Sequence, residues 1–144
     1  MTNLPPVLDW AELVVGTSLG PYSYYVSDQV TRRLRAALGE VTVAGQGPDE
    51  LAPASLLTFP FLQLIETWRR PRPGTVHAQQ EFELLAPLRV GATLTVRGVL
   101  TEVAERRDRR FFVVTASAED ERGSLVARSV TRVLYPAVDI TASP

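Results

Sequence analysis

Three kinds of reactive side chain are absent or nearly absent from this 144-residue sequence. It contains no cysteine and no lysine, and His77 is its single histidine. The missing cysteine excludes disulfides, thiolate nucleophiles and cysteine-ligated metals, and it is compatible with a reducing compartment. The missing lysine excludes Schiff-base chemistry. A metal site needs several histidine or carboxylate ligands in register, and no such pattern is present, so we predict no metal.

The charge balance and the apolar runs exclude two further classes of function. The net charge is −1, so the chain has no basic excess that would attract nucleic acid. The N-terminal residues lack the charged-then-apolar pattern of a signal peptide. The longest apolar run, Leu51 to Ile65, is interrupted by Pro53 and Pro60 and is too short to span a bilayer. We therefore expect a cytoplasmic protein that binds neither nucleic acid nor membrane.

The length predicts one domain over residues 1–144, with a core at about 10–136 and a frayed tail at 137–144. The segment "LVVGTSLGPYSYYVS" is rich in β-branched and aromatic residues, which is typical of a bent strand or a strand pair. A helix should then begin at Ser27, whose hydroxyl can cap it, and end at Gly39. Its arginines (Arg32, Arg33 and Arg35) lie off the apolar stripe and should form a solvated face.

The apolar segment "LAPASLLTFPFLQLIETW" predicts a buried helix with Pro53 at or near its first turn. Pro60 should kink this helix or end it early. After Thr75 the apolar and polar residues alternate through four long strands joined by polar turns, with a possible bulge at Gly98. In the first of these strands, the alternation places His77 on the face opposite Gln80.

A sheet with one apolar face needs a cover, and the apolar helix is the obvious one. The order of elements therefore predicts an α+β protein with the hot-dog fold, in which a curved antiparallel sheet wraps around a central apolar helix.

The residues that follow this pattern resemble a known family. The segment "HAQQEFELLAPLRVGATLTVRGVLTEVAERRDRRFFVVTASAEDERGSLVARS" is similar to the second half of the MaoC-like dehydratases, and most similar to their N-terminal, FAS1-like branch. The segments "VVGTSLGPYSYYVSDQVTRRLRAALGE" and "LAPASLL" resemble the family's opening and the start of its central helix. The resemblance extends from Leu13 to Tyr135.

The resemblance implies a role on acyl thioesters. Members of this family add water to 2-enoyl groups, or remove it from 3-hydroxyacyl groups, that are carried on coenzyme A or acyl carrier protein, and no separate cofactor is implied. The active members use an Asp-x-Asn-Pro-x-His motif just after the first helix, in which one group activates water or takes a proton and the other returns a proton at the neighbouring carbon. This chain has "EVTVAGQGPDE" there, so Glu40 occupies the acid position and no histidine follows.

Four residues remain as catalytic candidates: Glu40, Asp49, Glu66 and His77. Glu66 is included because some hot-dog thioesterases direct water with a carboxylate on the central helix. His77 has two interpretations, one as a structural residue at a strand start and one as a lining or proton-donating residue of the thioester tunnel. The tyrosines Tyr22, Tyr24 and Tyr25 are expected in the sheet and at a dimer interface.

Three functions are therefore open. The chain could be the acyl-binding subunit of a dimer whose partner carries the catalytic pair. It could be a self-sufficient hydratase or thioesterase with altered residues, or an acyl-CoA-binding module without turnover. The partner could be a second copy or a different, catalytic MaoC-like chain. In each case the tunnel wall is expected to comprise Pro53, Leu56, Leu57, Phe59, Phe61 and His77.

Overall fold

The computed structural model describes residues 4–39 and 50–136. Its elements are β1 (Ser18–Tyr25), α1 (Asp28–Ala37), α2 (Thr58–Trp68), β2 (Val76–Leu84), β3 (Thr93–Arg106), β4 (Arg109–Glu119) and β5 (Leu125–Tyr135), with 3-10 turns at Trp10–Glu12 and Ala54–Leu57. The strands form one antiparallel sheet in the order β1-β3-β4-β5-β2. The sheet curves around α2, which confirms the predicted α+β class and hot-dog fold.

The local signals around α1 act as the sequence predicts. The Ser27 hydroxyl accepts a hydrogen bond from the backbone N–H of Val30 at 3.0 Å, which satisfies one of the unpaired donors at the helix start. Gly39 follows the helix with φ +78°, a conformation that glycine adopts without a Cβ penalty. The sequence between Ser27 and Gly39 therefore sets both ends of α1.

The central helix begins later than the sequence predicts, and Pro60 does not interrupt it. Pro53 precedes the 3-10 turn, and α2 itself begins at Thr58. Pro60 thus lies in the first turn of α2, where a backbone N–H has no helical acceptor and its loss costs nothing. The prediction that Pro60 kinks or ends the helix is wrong, because the helix starts two residues before it and continues to Trp68.

The core lies between α2 and the concave face of the sheet. Phe61 and Leu64 of α2 pack there among buried side chains of the strands. Gly98 of β3 permits this close approach, since a Cβ at that position would lie 3.0 Å from Leu64 Cδ2 and 3.1 Å from Val114 Cγ1. The bulge that the sequence suggests at Gly98 instead falls between Leu100 and Glu102.

A bulge in β2 changes the face on which His77 lies. The register shifts between His77 and Gln79, so that His77 pairs with Val133 and Gln80 pairs with Thr131. Both partners are buried on the concave face, so His77 and Gln80 share that face. The alternation in the sequence placed them on opposite faces, because a single extra residue inverts the phase of a strand.

Candidate functional site

One flank of α2 carries an apolar cleft of about 510 Å³, between β1, α1 and the first turns of α2. We call it the tyrosine cleft. Its apolar wall is formed by Tyr24, Tyr25, Val30, Leu34 and Phe59. Besides the tyrosine hydroxyls, its polar side chains among the described residues are Arg33 and Gln63. Its volume lies in the range of small-molecule sites.

The hydrogen bonding of Gln63 leaves a donor for a ligand in this cleft. Tyr22 and Tyr24 alternate along β1 and pair with Val96 and Leu94, which are fully buried, so both phenols lie on the α2 side of the sheet. The Tyr22 hydroxyl donates to Gln63 Oε1. This bond orients the amide and leaves its Nε2 hydrogens as donors. The amide therefore favours a ligand with an acceptor oxygen.

Tyr24 adds a second donor to the tyrosine cleft. Burial raises the pKa of the Tyr24 phenol above its ordinary value, and repulsion from Tyr22 raises this pKa further. The phenol therefore stays protonated at neutral and mildly alkaline pH, and it can donate a hydrogen bond but does not act as a base.

The three arginines of α1 have different surroundings. Arg32 pairs with Asp28 one turn away, with Nε and Oδ2 2.9 Å apart. Arg35 pairs with Glu50 at 2.8 Å between Nη1 and Oε1, and it also donates to the Leu51 carbonyl. Within residues 4–39 and 50–136, Arg33 has no ion pair. The prediction of one solvated face is therefore wrong for Arg35, whose partner comes from outside the helix.

The opposite flank of α2 carries a smaller cavity of about 170 Å³, which we call the histidine cavity. Its lining includes Ile65, Glu66, Arg69, His77, Phe112 and Val133. It brings together two of the four catalytic candidates, Glu66 and His77. Both residues are exposed, and in the described part of the chain neither side chain makes a hydrogen bond or ion pair. Arg69 instead contacts Glu12, with Nε and Oε1 3.2 Å apart.

The structure separates the remaining predicted site residues. Glu40 and Asp49 lie outside the described residues. Phe59 lines the tyrosine cleft and Pro53 is half-buried before the 3-10 turn. The other predicted tunnel residues, Leu56, Leu57 and Phe61, are fully buried in the core. Their role in substrate binding stays a prediction.

Sequence reasoning missed Arg33 and Gln63 as residues of the candidate site. A local signal separates Arg33 from Arg32 but not from Arg35, because the positions three and four residues away from Arg33 are Gln29, Val30, Ala36 and Ala37, none of them acidic. Gln63 gives no comparable signal, since its role depends on the tyrosine that β1 places beside it.

Residues 4–39 and 50–136 contain neither a metal-binding cluster nor a membrane-spanning helix. No group of three or more histidine, aspartate and glutamate side chains there could hold a metal ion. No helix of those segments is long and apolar enough to cross a membrane.

Residues 24–129 match the family model of the FAS1-like dehydratase domain region. The chain belongs to this family. The match includes α1, α2, β2, β3 and β4 in full, together with the end of β1 and the first half of β5, so it spans both flanks of the central helix. It confirms the resemblance to the FAS1-like branch of the MaoC-like dehydratases. None of the functionally curated proteins is significantly similar to this chain in sequence.

Solved structures share its fold. The R-hydratase PhaJ1 from Pseudomonas aeruginosa has a TM-score of 0.75 and 18% identity, over 99% of this chain and 97% of its own. A chain of the C-terminally truncated HadBC (3R-hydroxyacyl-ACP dehydratase) complex from Mycobacterium tuberculosis has a TM-score of 0.70 and 20% identity, over 83% of this chain and 96% of its own. A chain of the ChsH1-ChsH2 complex from the same organism has a TM-score of 0.65 and 14% identity, over 85% of this chain and 98% of its own. At these identities the likeness shows the fold.

Proposed function

We propose that this chain is the acyl-binding subunit of a hydratase or dehydratase and works beside a catalytic partner. The ligand is a 2-enoyl or 3-hydroxyacyl thioester of coenzyme A or acyl carrier protein. The observation that carries the proposal is the composition of the tyrosine cleft. Its described lining combines an apolar wall with hydrogen-bond donors and includes neither a carboxylate nor an imidazole.

The chemistry of the family explains why a partner is needed. Hydration of an enoyl thioester requires one group that takes a proton from water and one that returns a proton to the neighbouring carbon. Tyr24 and the Gln63 amide can donate hydrogen bonds to a thioester oxygen, but neither is a base at neutral pH. The single histidine, His77, lies on the other flank of α2. We infer that the Asp-His pair comes from another chain, because this chain has no second histidine to form one.

The edge strand β2 supports the presence of such a partner. It pairs with β5 on one side only, so the backbone groups of its other side are available to a further strand. Most of its residues are exposed, and it contains no proline that would block pairing. A second hot-dog chain could extend the sheet there, and only a different chain would bring the missing Asp-His pair. The HadBC and ChsH1-ChsH2 structures are complexes, which favours a different chain.

The test is hydration of a short and a medium 2-enoyl-CoA, followed by the ultraviolet absorbance of the enoyl thioester. The purified chain should give only background turnover. Co-expression with a MaoC-like chain that carries Asp-x-Asn-Pro-x-His should give activity. That activity should be lost when the partner's motif histidine becomes alanine, and kept with His77→Ala in this chain. Hydration by the chain alone would contradict the proposal, and inactivity with every such partner would favour a binding module without turnover.

The histidine cavity favours a second candidate function, thioester hydrolysis by this chain alone. Glu66 and His77 line the same cavity, and an exposed carboxylate there could direct water at a thioester carbonyl. Release of free coenzyme A from acyl-CoA, measured with a thiol reagent, tests it. Activity that disappears in Glu66→Gln and persists in Glu12→Gln would establish this function in place of the first. Glu12 is the matched control because it lies outside the cavity and pairs with Arg69.

A further inference from the structure

The tyrosine cleft has one cationic side chain, and it is the one arginine of α1 without a carboxylate in the described structure. Arg32 is paired with Asp28, and Arg35 is paired with Glu50. Arg33 has no acidic residue within one turn on either side. It instead lines the cleft beside Leu34 and Val30. Its charge is therefore available to a ligand, because no carboxylate of the described structure pairs with it.

The rest of the cleft determines what kind of ligand this charge suits. The wall is apolar, which favours a hydrocarbon chain. Gln63 and the protonated Tyr24 are donors, which favour an acceptor oxygen. The exposed Arg33 in the same lining favours an anionic oxygen group, carboxylate or phosphate, which a guanidinium binds through charge-assisted hydrogen bonds.

We propose that Arg33 is an anion-binding residue of the tyrosine cleft, so that the site selects acyl thioesters with an anionic group within reach of the bound chain. This inference rests on the proposed acyl-thioester function and names the substrate class of that site. Two parts of such a ligand can supply the anion. One is a carboxylate at the far end of the acyl chain, and the other is a phosphate of the carrier.

Four thioesters separate these sources. Octanoyl and suberyl groups have the same chain length, and the suberyl group adds a terminal carboxylate. Each is prepared on coenzyme A and on N-acetylcysteamine, which has no phosphate. Their dissociation constants are measured by calorimetry for the wild type and for Arg33→Leu, Arg33→Lys and Arg32→Leu. The control Arg32→Leu removes a neighbouring charge that is already paired with Asp28.

We expect Arg33→Leu to weaken binding about 3- to 10-fold, Arg33→Lys to restore much of the loss, and Arg32→Leu to have no effect. A loss confined to suberyl compounds on both carriers identifies the acyl carboxylate as the anion. A loss confined to both coenzyme A compounds identifies the carrier phosphate. Salt should weaken binding to the wild type and leave binding to Arg33→Leu unchanged, because a solvent-exposed charge pair is screened. Equal affinities of wild type and Arg33→Leu for all four compounds would overturn the inference.

A probe that is not a thioester separates this inference from the proposed function. The fluorescent anion 1-anilinonaphthalene-8-sulfonate combines apolar rings with a sulfonate and so matches the cleft as argued. Its affinity should fall in Arg33→Leu and not in Arg32→Leu. If it does so while no thioester binds, the anion site stands and the proposed function fails. If thioesters bind and neither they nor the probe depend on Arg33, the proposed function stands and the anion site fails.

Discussion

The two flanks of α2 differ in how their polar side chains are held. On the β1 flank, Tyr22 fixes Gln63, and Arg35 pairs with Glu50 where the chain enters the 3-10 turn. On the β2 flank, Glu66 and His77 are exposed and, in the described part of the chain, make no hydrogen bond or ion pair. The helix itself packs mainly on β1 and β3.

The single histidine of this chain therefore lies on the flank opposite the polar side chains that hydrogen bonds and ion pairs hold in place. A binding site functions best when packing and hydrogen bonds hold its side chains in one geometry. The β1 flank meets that condition and the β2 flank does not. The flank with the ordered donors lacks a base in its described lining, and the flank with the titratable groups lies beside the open edge of the sheet. Binding and proton transfer are therefore expected to be divided between flanks, or between chains.

The largest effect is expected from breaking the ion pair of the β1 flank. Only 7% of the Glu50 side chain and 16% of the Arg35 side chain are exposed. Glu50→Ala leaves a largely buried guanidinium without this carboxylate, and should lower the free energy of unfolding by about 2–3 kcal/mol, measured by urea titration. The control is Glu105→Ala, whose pair with Arg110 is exposed and should contribute less than about 0.5 kcal/mol. Equal effects would mean that the β1 flank is no better anchored than the surface.

The next effect tests the close packing of α2 on β3. Gly98→Val would place new carbon atoms against Leu64 and Val114, and overpacking of this kind costs about 1–3 kcal/mol. Arg97→Val is the control, because that side chain is on the exposed face of the same strand and its replacement should change stability by less than about 0.5 kcal/mol. If Gly98→Val left the free energy of unfolding unchanged, α2 would be able to shift on the sheet. The β1 flank would then not be held more firmly than the β2 flank.

The architecture was predictable from the sequence because its signals are local and periodic. Ser27 and Gly39 mark the ends of α1, and the alternation after Thr75 marks the strands. The face of β2 on which His77 lies was not predictable, since the bulge beside it depends on pairing with β5. The position of Pro60 within its helix was predicted wrongly for a related reason. A proline is compatible with a helix start as well as with a helix end, and only the buried 3-10 turn before Thr58 decides between them.

The candidate site was less predictable than the fold. Asp28 marks Arg32 locally, but Arg33 and Arg35 both lack an acidic residue one turn away, and what distinguishes these two is Glu50, which is 15 residues away from Arg35. Gln63 becomes a fixed donor only through Tyr22, 41 residues earlier. Such contacts depend on how β1 and α2 pack, so they follow from the tertiary structure and leave no local pattern.

A smaller effect is expected from the hydrogen bond that orients Gln63. Tyr22→Phe removes the hydroxyl and keeps the ring, so it should lower the free energy of unfolding by about 1 kcal/mol. It should also release the side-chain amide, which nuclear magnetic resonance would detect as a change in the Gln63 side-chain amide signals. Tyr25→Phe is the matched control, because Tyr25 is 60% exposed and its hydroxyl makes no hydrogen bond within residues 4–39 and 50–136. Identical spectra for Tyr22→Phe and the wild type would show that Gln63 is not fixed, and the β1 flank would then offer no oriented donor.

The smallest effect is expected on the β2 flank. His77→Ala and Glu66→Gln each remove an exposed side chain without a hydrogen-bond partner in the described structure, so each should change the free energy of unfolding by less than about 0.5 kcal/mol. The double variant should equal the sum of the single ones, since residues that do not interact contribute additively. A coupling larger than about 0.5 kcal/mol would mean that the two side chains do interact in solution. That result would make the histidine cavity an ordered pair and would strengthen the case for hydrolysis on this flank, because a carboxylate that orients an imidazole is an arrangement that proton transfer can use.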